Sequence, residues 1–421
     1  MKVYDAPNIR NVALVGHGGC GKTSLASALL FNGGAANRLG RVEDGTTVTD
    51  FDPDEIERQI SLQTSLAFAE WKRTKINILD APGYANFTAE ARAALRVADG
   101  ALVVVDAVSG VEVQTEKVWG YAEDYGLARM IVVNRMDREN ASFERALESI
   151  EKSFGRAAVP IAIPLGEEKG FKGVIDLVAE KAHVWGDDTS GKFETTDVPD
   201  EHKEAVASAR EKLIEMVAES NEALMEEFFE KGTLPREDLV KGLREAVVAG
   251  TVFPVFPVSA TLNSGVHPLM DAIVELLPSP MDRPAATGHK PESEDEVSRE
   301  AKEDGPLSAF DFKTIIVPHA GRISVFRVYS GTMKSDTAVH NTTHDSAERV
   351  GSLLLLQGKG QTQVEEARSG DIVAVAKLKD TQTGDTLADK ADPIVYPPVV
   401  LPEPATTFAI EPKTRGDEDK I

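Results

Sequence analysis

The sequence has 421 residues, a length at which a chain typically forms two or three compact units. Hydrophobic residues make up 42% and charged residues 27%, which is typical of a soluble globular protein. The formal net charge of −23 excludes indiscriminate DNA or RNA binding through a basic face, although it leaves docking on a nucleoprotein open. Cys20 is the single cysteine, which excludes an intramolecular disulfide and a cysteine-rich zinc site.

The apolar runs of the sequence are short. The longest, "ALVVVDAV" at 101–108, is too short to span a bilayer, and the N-terminus has no apolar signal core before the first strand. We therefore expect a cytoplasmic protein with no membrane partner and no DNA partner. Nothing in the sequence indicates obligate assembly, so we expect a monomer.

Buried strands alternate with helical segments over the first 150 residues. The apolar runs "NVALV", "INIL", "ALVVVDAV" and "MIVV" are bounded on both sides, and helical spacing appears at 86–97 and 112–125. This alternation predicts an α/β unit in which helices flank a parallel sheet. Short strands and two acidic helical stretches then predict an inserted α+β subdomain at about 158–250.

The remaining chain divides into three parts. A strand at "VFPVFPVSA" and a helix at "VHPLMDAIVELL" return to the α/β pattern, so the first domain is predicted at 1–280. A proline-rich and then highly charged stretch at 281–305 predicts a linker. Short strands separated by Gly and Asp turns predict a small β-barrel at 306–400. Residues 401–421 begin another element and stop, which predicts a truncated third domain.

A glycine-rich turn joins the first strand to the first helix. "GHGGCGKT" at 16–23 fits G-x-x-x-x-G-K-T, and its place between strand and helix makes it a strong phosphate-loop signal. Backbone N–H groups of such a loop point at phosphate oxygens, the lysine neutralises the β- and γ-phosphates, and the threonine hydroxyl binds Mg²⁺. The predicted phosphate-binding residues are His17, Gly18, Gly19, Cys20, Gly21, Lys22, Thr23 and Ser24.

Three further motifs follow in the order typical of a GTP-binding domain. Asp80, at the end of "INILD", is a candidate for holding Mg²⁺, and Gly83 completes D-x-x-G and is placed to contact the γ-phosphate. "NRMD" supplies Asn134 and Asp137, whose carboxylate selects guanine because adenine has no N1 proton. Arg135 stands where N-K-x-D has lysine, and its stem can cover the base. "SAT" predicts a loop contacting the guanine oxygen through Ser259, Ala260 and Thr261.

With these motifs in place, the whole chain resembles elongation factor G. The insertion between "NRMD" and "SAT" and the barrel segments "FRVYSGTMKS" and "KDTQTGDTLAD" carry this resemblance. It implies a translational GTPase that binds GTP or GDP with Mg²⁺ and acts on the ribosome, with the acidic insertion as a candidate contact for stalk proteins. It also implies a translation-factor barrel after the GTP-binding domain, and a third domain that begins at "FAIEPKTRGDEDK".

The sequence departs from the family pattern in its first switch segment and in its phosphate loop. "RQIS" at 58–61 replaces Arg-Gly-Ile-Thr, so Ser61 is the predicted metal ligand beside Thr23 and Asp80. Gln59 replaces a glycine whose backbone freedom is a reason to keep it. Gly19 replaces an aspartate, which removes a possible ligand for an accessory monovalent cation.

The largest departure is Tyr84, which replaces the histidine that orients the attacking water in this family. A phenol is longer and is a poor base near neutrality, so hydrolysis is expected to be slow or conditional, with Lys22, Gly83 and Tyr84 as the catalytic candidates. The equal alternative is that the tyrosine is tolerated and hydrolysis is not slowed. Three other readings stay open: a non-hydrolysing GTP-binding regulator of ribosomes, a truncated translocation or recycling GTPase, and an ATP-using P-loop enzyme. The "PGY" form also resembles a group of elongation factor G paralogues.

Overall fold

The protein was analysed as a computed structural model, which describes residues 2–186, 188–317, 321–401, 406–412 and 414, the side chain of Val317 aside. A mixed α/β unit is followed by an antiparallel β unit, which confirms the expected fold class. Within the described ranges no helix is long and apolar enough to cross a bilayer.

The α/β unit begins with strands and helices in regular alternation. In chain order they are β1 (Ile9–Gly16), α1 (Lys22–Asn32), α2 (Pro53–Arg58), β2 (Ser65–Trp71), β3 (Thr74–Asp80), α3 (Thr88–Val97), β4 (Gly100–Asp106), α4 (Val113–Asp124), β5 (Ala128–Asn134), α5 (Phe143–Phe154) and β6 (Ala158–Pro160).

A separate antiparallel sheet and three helices follow β6, and the chain then returns to the first sheet. The added elements are β7 (Ala162–Leu165), β8 (Gly173–Asp176), β9 (Lys181–Trp185), β10 (Phe193–Asp197), α6 (Lys203–Ala218), α7 (Glu222–Lys231) and α8 (Arg236–Val248). The return consists of β11 (Phe253–Pro257) and α9 (Val266–Leu276). The first acidic stretch forms two helices, because the Asn221 side chain accepts the Ala223 N–H and starts α7.

The main sheet has the order β2-β3-β1-β4-β5-β11-β6. All neighbours run parallel except β2, which pairs antiparallel with β3 at the edge, so the expectation of a parallel sheet misses this strand. β6 pairs with β11, so these first three residues of the expected insertion belong to the main sheet. The carboxyl ends of β1, β3, β5 and β11 share one edge, which brings the four sequence motifs together.

The segment expected to be a linker contains a β-hairpin. Strands β12 (Ala286–His289) and β13 (Glu296–Arg299) pair with each other. His289 also exchanges two backbone hydrogen bonds with Val395, N to O at 3.0 and 2.8 Å. The hairpin is therefore attached to the second unit, which the charge-rich composition of the segment did not indicate.

The second unit is an antiparallel half-barrel. Its strands are β14 (Ser308–Val317), β15 (Gly321–Ser330), β16 (Thr332–Lys334), β17 (Thr337–Asn341), β18 (Ser346–Val350), β19 (Leu353–Gln357), β20 (Gly360–Val364), β21 (Glu366–Arg368), β22 (Ile372–Ala376) and β23 (Thr386–Ala388). Eight of them follow the order β18-β17-β23-β14-β15-β22-β19-β20, and β16 pairs with β21.

Of the expected third-domain segment at 401–421, residues 402–405, 413 and 415–421 lie outside the described residues.

Buried charges join the two units. The Lys75 ammonium on β3 donates to both carboxylate oxygens of Asp371 at 2.7 and 2.9 Å. The Arg327 guanidinium on β15 donates to both oxygens of Asp99 at 3.0 and 3.1 Å. Because both pairs are almost completely buried, the half-barrel is held in a defined place against the main sheet.

Candidate functional site

The phosphate-loop motif forms a tight loop between β1 and α1. Gly19 and Gly21 have φ angles of 82° and 92°, in the left-handed region that glycine adopts without strain. The Lys22 ammonium donates to the carbonyl oxygens of Gly16 at 3.2 Å and His17 at 2.7 Å, so it lies at the centre of the loop. The loop therefore directs a positive charge and the N-terminus of α1 toward the same space, as an anion site requires.

A cavity of about 210 Å³ opens above this loop. Part of its wall comes from the segment after α1, where sequence reasoning had placed only Ser61. This segment contributes Val42, Glu43, Asp50, Gln59 and Ile60. The predicted site residues that line the cavity are Gly18, Gly19, Gly21, Lys22, Thr23, Ser24, Ser61, Gly83, Tyr84 and Arg135.

Two hydroxyl groups meet at the end of the cavity nearest α1. The Thr23 and Ser61 hydroxyl oxygens are 3.1 Å apart. Adjacent ligands of an octahedral Mg²⁺, each about 2.0–2.1 Å from the metal, are separated by about 2.9 Å, so this spacing suits the ion. Ser61 is held in place because buried Glu55 accepts the N–H groups of Leu62 at 2.9 Å and Gln63 at 3.3 Å.

Two buried carboxyl groups lie beside these hydroxyls. Burial raises the pKa of both Asp50 and Asp80, and the negative charge of Asp80 raises the pKa of Asp50 further. Thr49 donates to Asp80 Oδ2 at 2.6 Å, whereas Asp80 Oδ1 has no hydrogen-bond partner among the described residues. Such crowded negative charge favours binding of a cation, so the donor set fits Mg²⁺.

Asp50 is the site residue that the sequence analysis missed. It follows an irregular polar segment with no apolar periodicity and belongs to none of the motifs considered. The hydroxyls of Ser61 and Thr23 nevertheless hydrogen-bond its carboxyl group and favour its charged form. No three His, Cys, Asp or Glu side chains cluster as a metal site anywhere in the described part of the chain, so a cation here would depend on hydroxyl ligands.

Gly83 and Tyr84 lie on the opposite wall of the cavity. A Cβ atom at Gly83 would overlap the Lys22 ammonium and the His17 backbone, so only glycine fits there. The Tyr84 side chain is 43% exposed, and its ring covers Gly18, where an added Cβ would be 2.9 Å from two ring carbons. The phenol therefore lies against the phosphate loop, in the wall of the cavity.

Asn134 connects the loops on the base side. Its amide nitrogen donates to the carbonyl oxygens of Cys20 at 3.0 Å and Gly21 at 3.3 Å. Its amide oxygen accepts the Ala260 N–H at 3.0 Å. Asn134 thus holds the phosphate loop and the "SAT" loop together, which is a positioning contact within the protein.

Asp137 is oriented by the "SAT" loop. Its two carboxylate oxygens accept the Ser259 hydroxyl at 2.6 Å and the Thr261 hydroxyl at 3.4 Å. Each carboxylate oxygen has two acceptor positions, so both can still receive an N–H of a bound base. Arg135, with a φ of 67°, forms an ion pair with Asp106 at 2.9 Å, which fixes its stem beside Gly21.

His17 and Cys20 were predicted to bind phosphate, but their side chains do not line the cavity. The His17 ring faces Glu112 at 3.6 Å and accepts the Gln114 N–H at 3.4 Å, so its imidazole points away from the cavity. Cys20 is buried, and this burial raises the pKa of its thiol. Any contribution of these two residues to phosphate binding would come from the backbone.

The loops and their order define a P-loop GTP-binding domain, and comparison with known proteins identifies its family. The family description "Elongation factor Tu GTP binding domain" matches residues 7–279, and "Elongation factor G domain 2" matches residues 306–390. The chain belongs to the elongation factor Tu GTP-binding-domain family, whose members are GTPases that bind guanine nucleotides.

One solved structure shows the same arrangement over most of the chain. It is a crystal structure of a protein from Thermus thermophilus, which is 35% identical and superposes with a TM-score of 0.86. The similarity covers 98% of this chain and 59% of that protein, so the chain spans about three fifths of its length.

Proposed function

We propose that this chain is a translation factor of the elongation factor G type, which binds Mg²⁺-GTP and hydrolyses it slowly or only when the ribosome stimulates it. The observation that carries the proposal is the 3.1 Å contact of the Thr23 and Ser61 hydroxyls, beside Asp50, Asp80 and the phosphate loop. This contact brings the segment that contains Ser61 against the phosphate loop at the wall of the nucleotide cavity. The family membership supports guanine as the base and the ribosome as the partner.

Each residue of the site has a separate role in the proposed function. Lys22 is placed to neutralise phosphate oxygens, Gly83 to present its N–H to the γ-phosphate, and Thr23, Ser61, Asp50 and Asp80 to hold Mg²⁺ directly or through water. When bound, Mg²⁺ supplies charge neutralisation across the β- and γ-phosphates. Asp137 reads the base, and Asn134 keeps its loop in register with the phosphate loop.

Ribosome binding, the cytoplasmic location and the monomeric state belong to the same proposal. Helix α7 is acidic, because it carries Glu222, Glu226, Glu227 and Glu230 against the single cation Lys231. This charge suits a contact with basic ribosomal proteins or with stalk proteins. This role rests on the resemblance to elongation factor G and on the charge of the insertion.

A second function is favoured by one observation, the Tyr84 ring lying over Gly18. A phenol in that place covers the phosphate loop and would leave the attacking water unoriented, so the chain would hold GTP without consuming it. In that case the protein would be a GTP-dependent regulator of ribosomes.

GTP turnover with and without ribosomes tests the proposal. The wild-type chain is compared with Tyr84→His, which restores the usual side chain, and with Tyr84→Phe, which keeps the ring and removes the hydroxyl. Strong stimulation of the wild type by ribosomes, lost in Tyr84→Phe, supports a working GTPase that uses the phenol. An idle wild type beside an active Tyr84→His variant supports the holding function, and failure to bind GTP at all contradicts both.

A further inference from the structure

A second cavity lies between the two units, far from the phosphate loop. It is bordered by Asp99 and Leu127, which precede β4 and β5, so it opens at the amino ends of the parallel strands. The phosphate loop follows the carboxyl end of β1, at the opposite edge of the sheet. The cavity has a volume of about 450 Å³, within the range of about 300–1,000 Å³ that small-molecule sites occupy.

The cavity is positively charged in a strongly acidic protein. Among its described lining residues, Asp99 is the sole carboxylate, and it pairs with Arg327 at 3.0 Å. A second carboxylate, Asp392, pairs with Arg299 at 2.7 Å from outside the lining. The four lining arginines therefore exceed the carboxylates near them by two charges; they are Arg96, Arg283, Arg299 and Arg327.

The two unneutralised cations are Arg96 and Arg283. Arg283 donates to the carbonyl oxygens of Tyr125 at 2.9 Å and of Gly126, and Arg96 donates to the Tyr329 hydroxyl at 2.9 Å. These acceptors are neutral, and a guanidinium has five N–H donors, so most donors of Arg283 remain available to a ligand. Burial lowers the pKa of Arg283; of the nearby charges, Asp99 raises this pKa and Arg327 lowers it.

Further buried donors at this cavity lack partners. Within the described residues, no hydrogen bond is made by Nε of Arg299, Nε of Arg327 or the hydroxyl group of Tyr125. A buried polar group without a partner destabilises the folded chain, and a charged group does so more strongly. An anion seated among these groups would offset part of that cost, whereas a neutral ligand would not.

We propose that this interdomain cavity binds a small phosphorylated molecule with at least two negative charges, held chiefly by Arg283 and Arg96. A guanidinium group can donate two parallel hydrogen bonds to the oxygens of one phosphate group. A phosphorylated ligand therefore fits a cluster of arginines better than a ligand with a single carboxylate does. A concave site of this volume in a chain of net charge −23 favours a small molecule over a nucleic-acid strand. Because residues of both units line the cavity, the ligand would stabilise their contact.

Calorimetric titration with inorganic pyrophosphate tests the site. The chain is first saturated with GDP so that the phosphate loop is occupied, and free Mg²⁺ is held constant because pyrophosphate also binds Mg²⁺. We expect saturable binding of one pyrophosphate, weakened at least about tenfold by Arg283→Gln, since charge-assisted hydrogen bonds are lost. The matched control is Arg349→Gln, an exposed arginine on β18 whose loss should leave the affinity within about twofold.

A second variant keeps the test decisive if Arg283→Gln fails to fold. Thr287 lies exposed at the cavity wall on β12, and Thr287→Glu adds a negative charge without removing any arginine contact. We expect Thr287→Glu to retain GDP binding and to lose pyrophosphate affinity by about tenfold. Unchanged affinity in this variant overturns the proposal, as does an absence of saturable binding to the wild type. Equal affinity for citrate, or tighter binding of a short single-stranded RNA, overturns the assignment to small phosphorylated ligands.

Discussion

Buried carboxylates occur both at the interface between the two units and at the cation end of the nucleotide cavity, and they are neutralised differently. At the interface, Asp371 accepts two hydrogen bonds from buried Lys75 of the other unit. Asp99 likewise accepts two from buried Arg327. At the cavity, Asp50 and Asp80 lie together, and neither forms a salt bridge within the described residues. Burial raises the pKa of both groups, and the nearby Lys22 charge offsets part of this rise. The first arrangement contains its own counter-charges, whereas the second would be completed by the proposed Mg²⁺. Two buried carboxyl groups without a salt-bridge partner are therefore what distinguishes the proposed cation site from the interface.

Breaking the interface should have the largest effect. Lys75→Met leaves the buried Asp371 carboxylate without a counter-charge, so we expect the free energy of unfolding to fall by about 3–5 kcal/mol. Urea denaturation measures this. The control is Asp197→Asn at the exposed Lys181–Asp197 pair, which should cost less than about 1 kcal/mol. Equal losses in the two variants would contradict a structural role for the buried pair.

A third kind of buried carboxyl group is expected to be neutralised by its own proton. Burial raises the pKa of Asp311 on β14 from 3.8 to about 8. Since the folded state then binds a proton that the unfolded state has lost, its contribution to stability is full below pH 4 and is lost as the pH rises toward 8. We expect a loss of about 1.4 kcal/mol per pH unit in this window.

Asp311→Asn should remove that slope, because asparagine is neutral at every pH. Urea denaturation of both chains between pH 5 and pH 8 measures the difference in their free energies of unfolding. The gap should widen in favour of the variant as the pH rises. Parallel curves for the two chains would show that Asp311 is not protonated in the folded state.

The hairpin between β19 and β20 carries contacts from the second unit to the cation end of the cavity. The Gly358 N–H donates to the Leu66 carbonyl at 2.8 Å, and a Cβ atom at Gly358 would overlap the Val48 carbonyl oxygen, two residues before Asp50. Gly358→Ala should therefore displace this segment and weaken Mg²⁺-dependent GTP binding by about tenfold, equivalent to about 1.4 kcal/mol.

The matched control for this variant is Gly384→Ala. Gly384 also has a positive φ, 100° against 56° at Gly358, but an added Cβ would meet only Pro398 at an ordinary 3.9 Å. Both variants carry the backbone strain of alanine in the left-handed region, and Gly358→Ala alone meets the segment around Val48. Equal loss of GTP affinity in the two variants would mean that strain, and not the contact with Val48, is responsible.

The smallest effect is expected at Gln59. Its φ of 54° and ψ of 37° lie in the left-handed region at the end of α2, where the family has glycine. Gln59→Gly should relieve this strain and stabilise the chain by up to about 1 kcal/mol, measured as a shift in the urea midpoint. A destabilised variant would show that the Gln59 side chain contributes more than its backbone strain costs.

The sequence predicted the motifs better than it predicted their surroundings. Residues 16–24, Asp80 and Asn134 were identifiable because fixed spacing after apolar strands encodes a loop with one geometry. Asp50 was missed because its segment has no periodicity, and the antiparallel β2 was missed because alternation of strands and helices suggests parallel pairing. Lys75 and Asp371 could not be paired from sequence, since they are 296 residues apart and each has the pattern of a solvated charge.

The most direct measurement is displacement of a fluorescent GDP analogue by GTP and by ATP, with Mg²⁺ and with EDTA, for the wild type and for Asp80→Asn. We predict that GTP displaces the analogue at least about a thousandfold better than ATP, because Asp137 would be left unpaired opposite adenine. We also predict that removing Mg²⁺ weakens GTP binding by at least about tenfold in the wild type and has little effect in Asp80→Asn. Equal displacement by ATP, or GTP affinity that does not depend on Mg²⁺ in the wild type, would contradict the account.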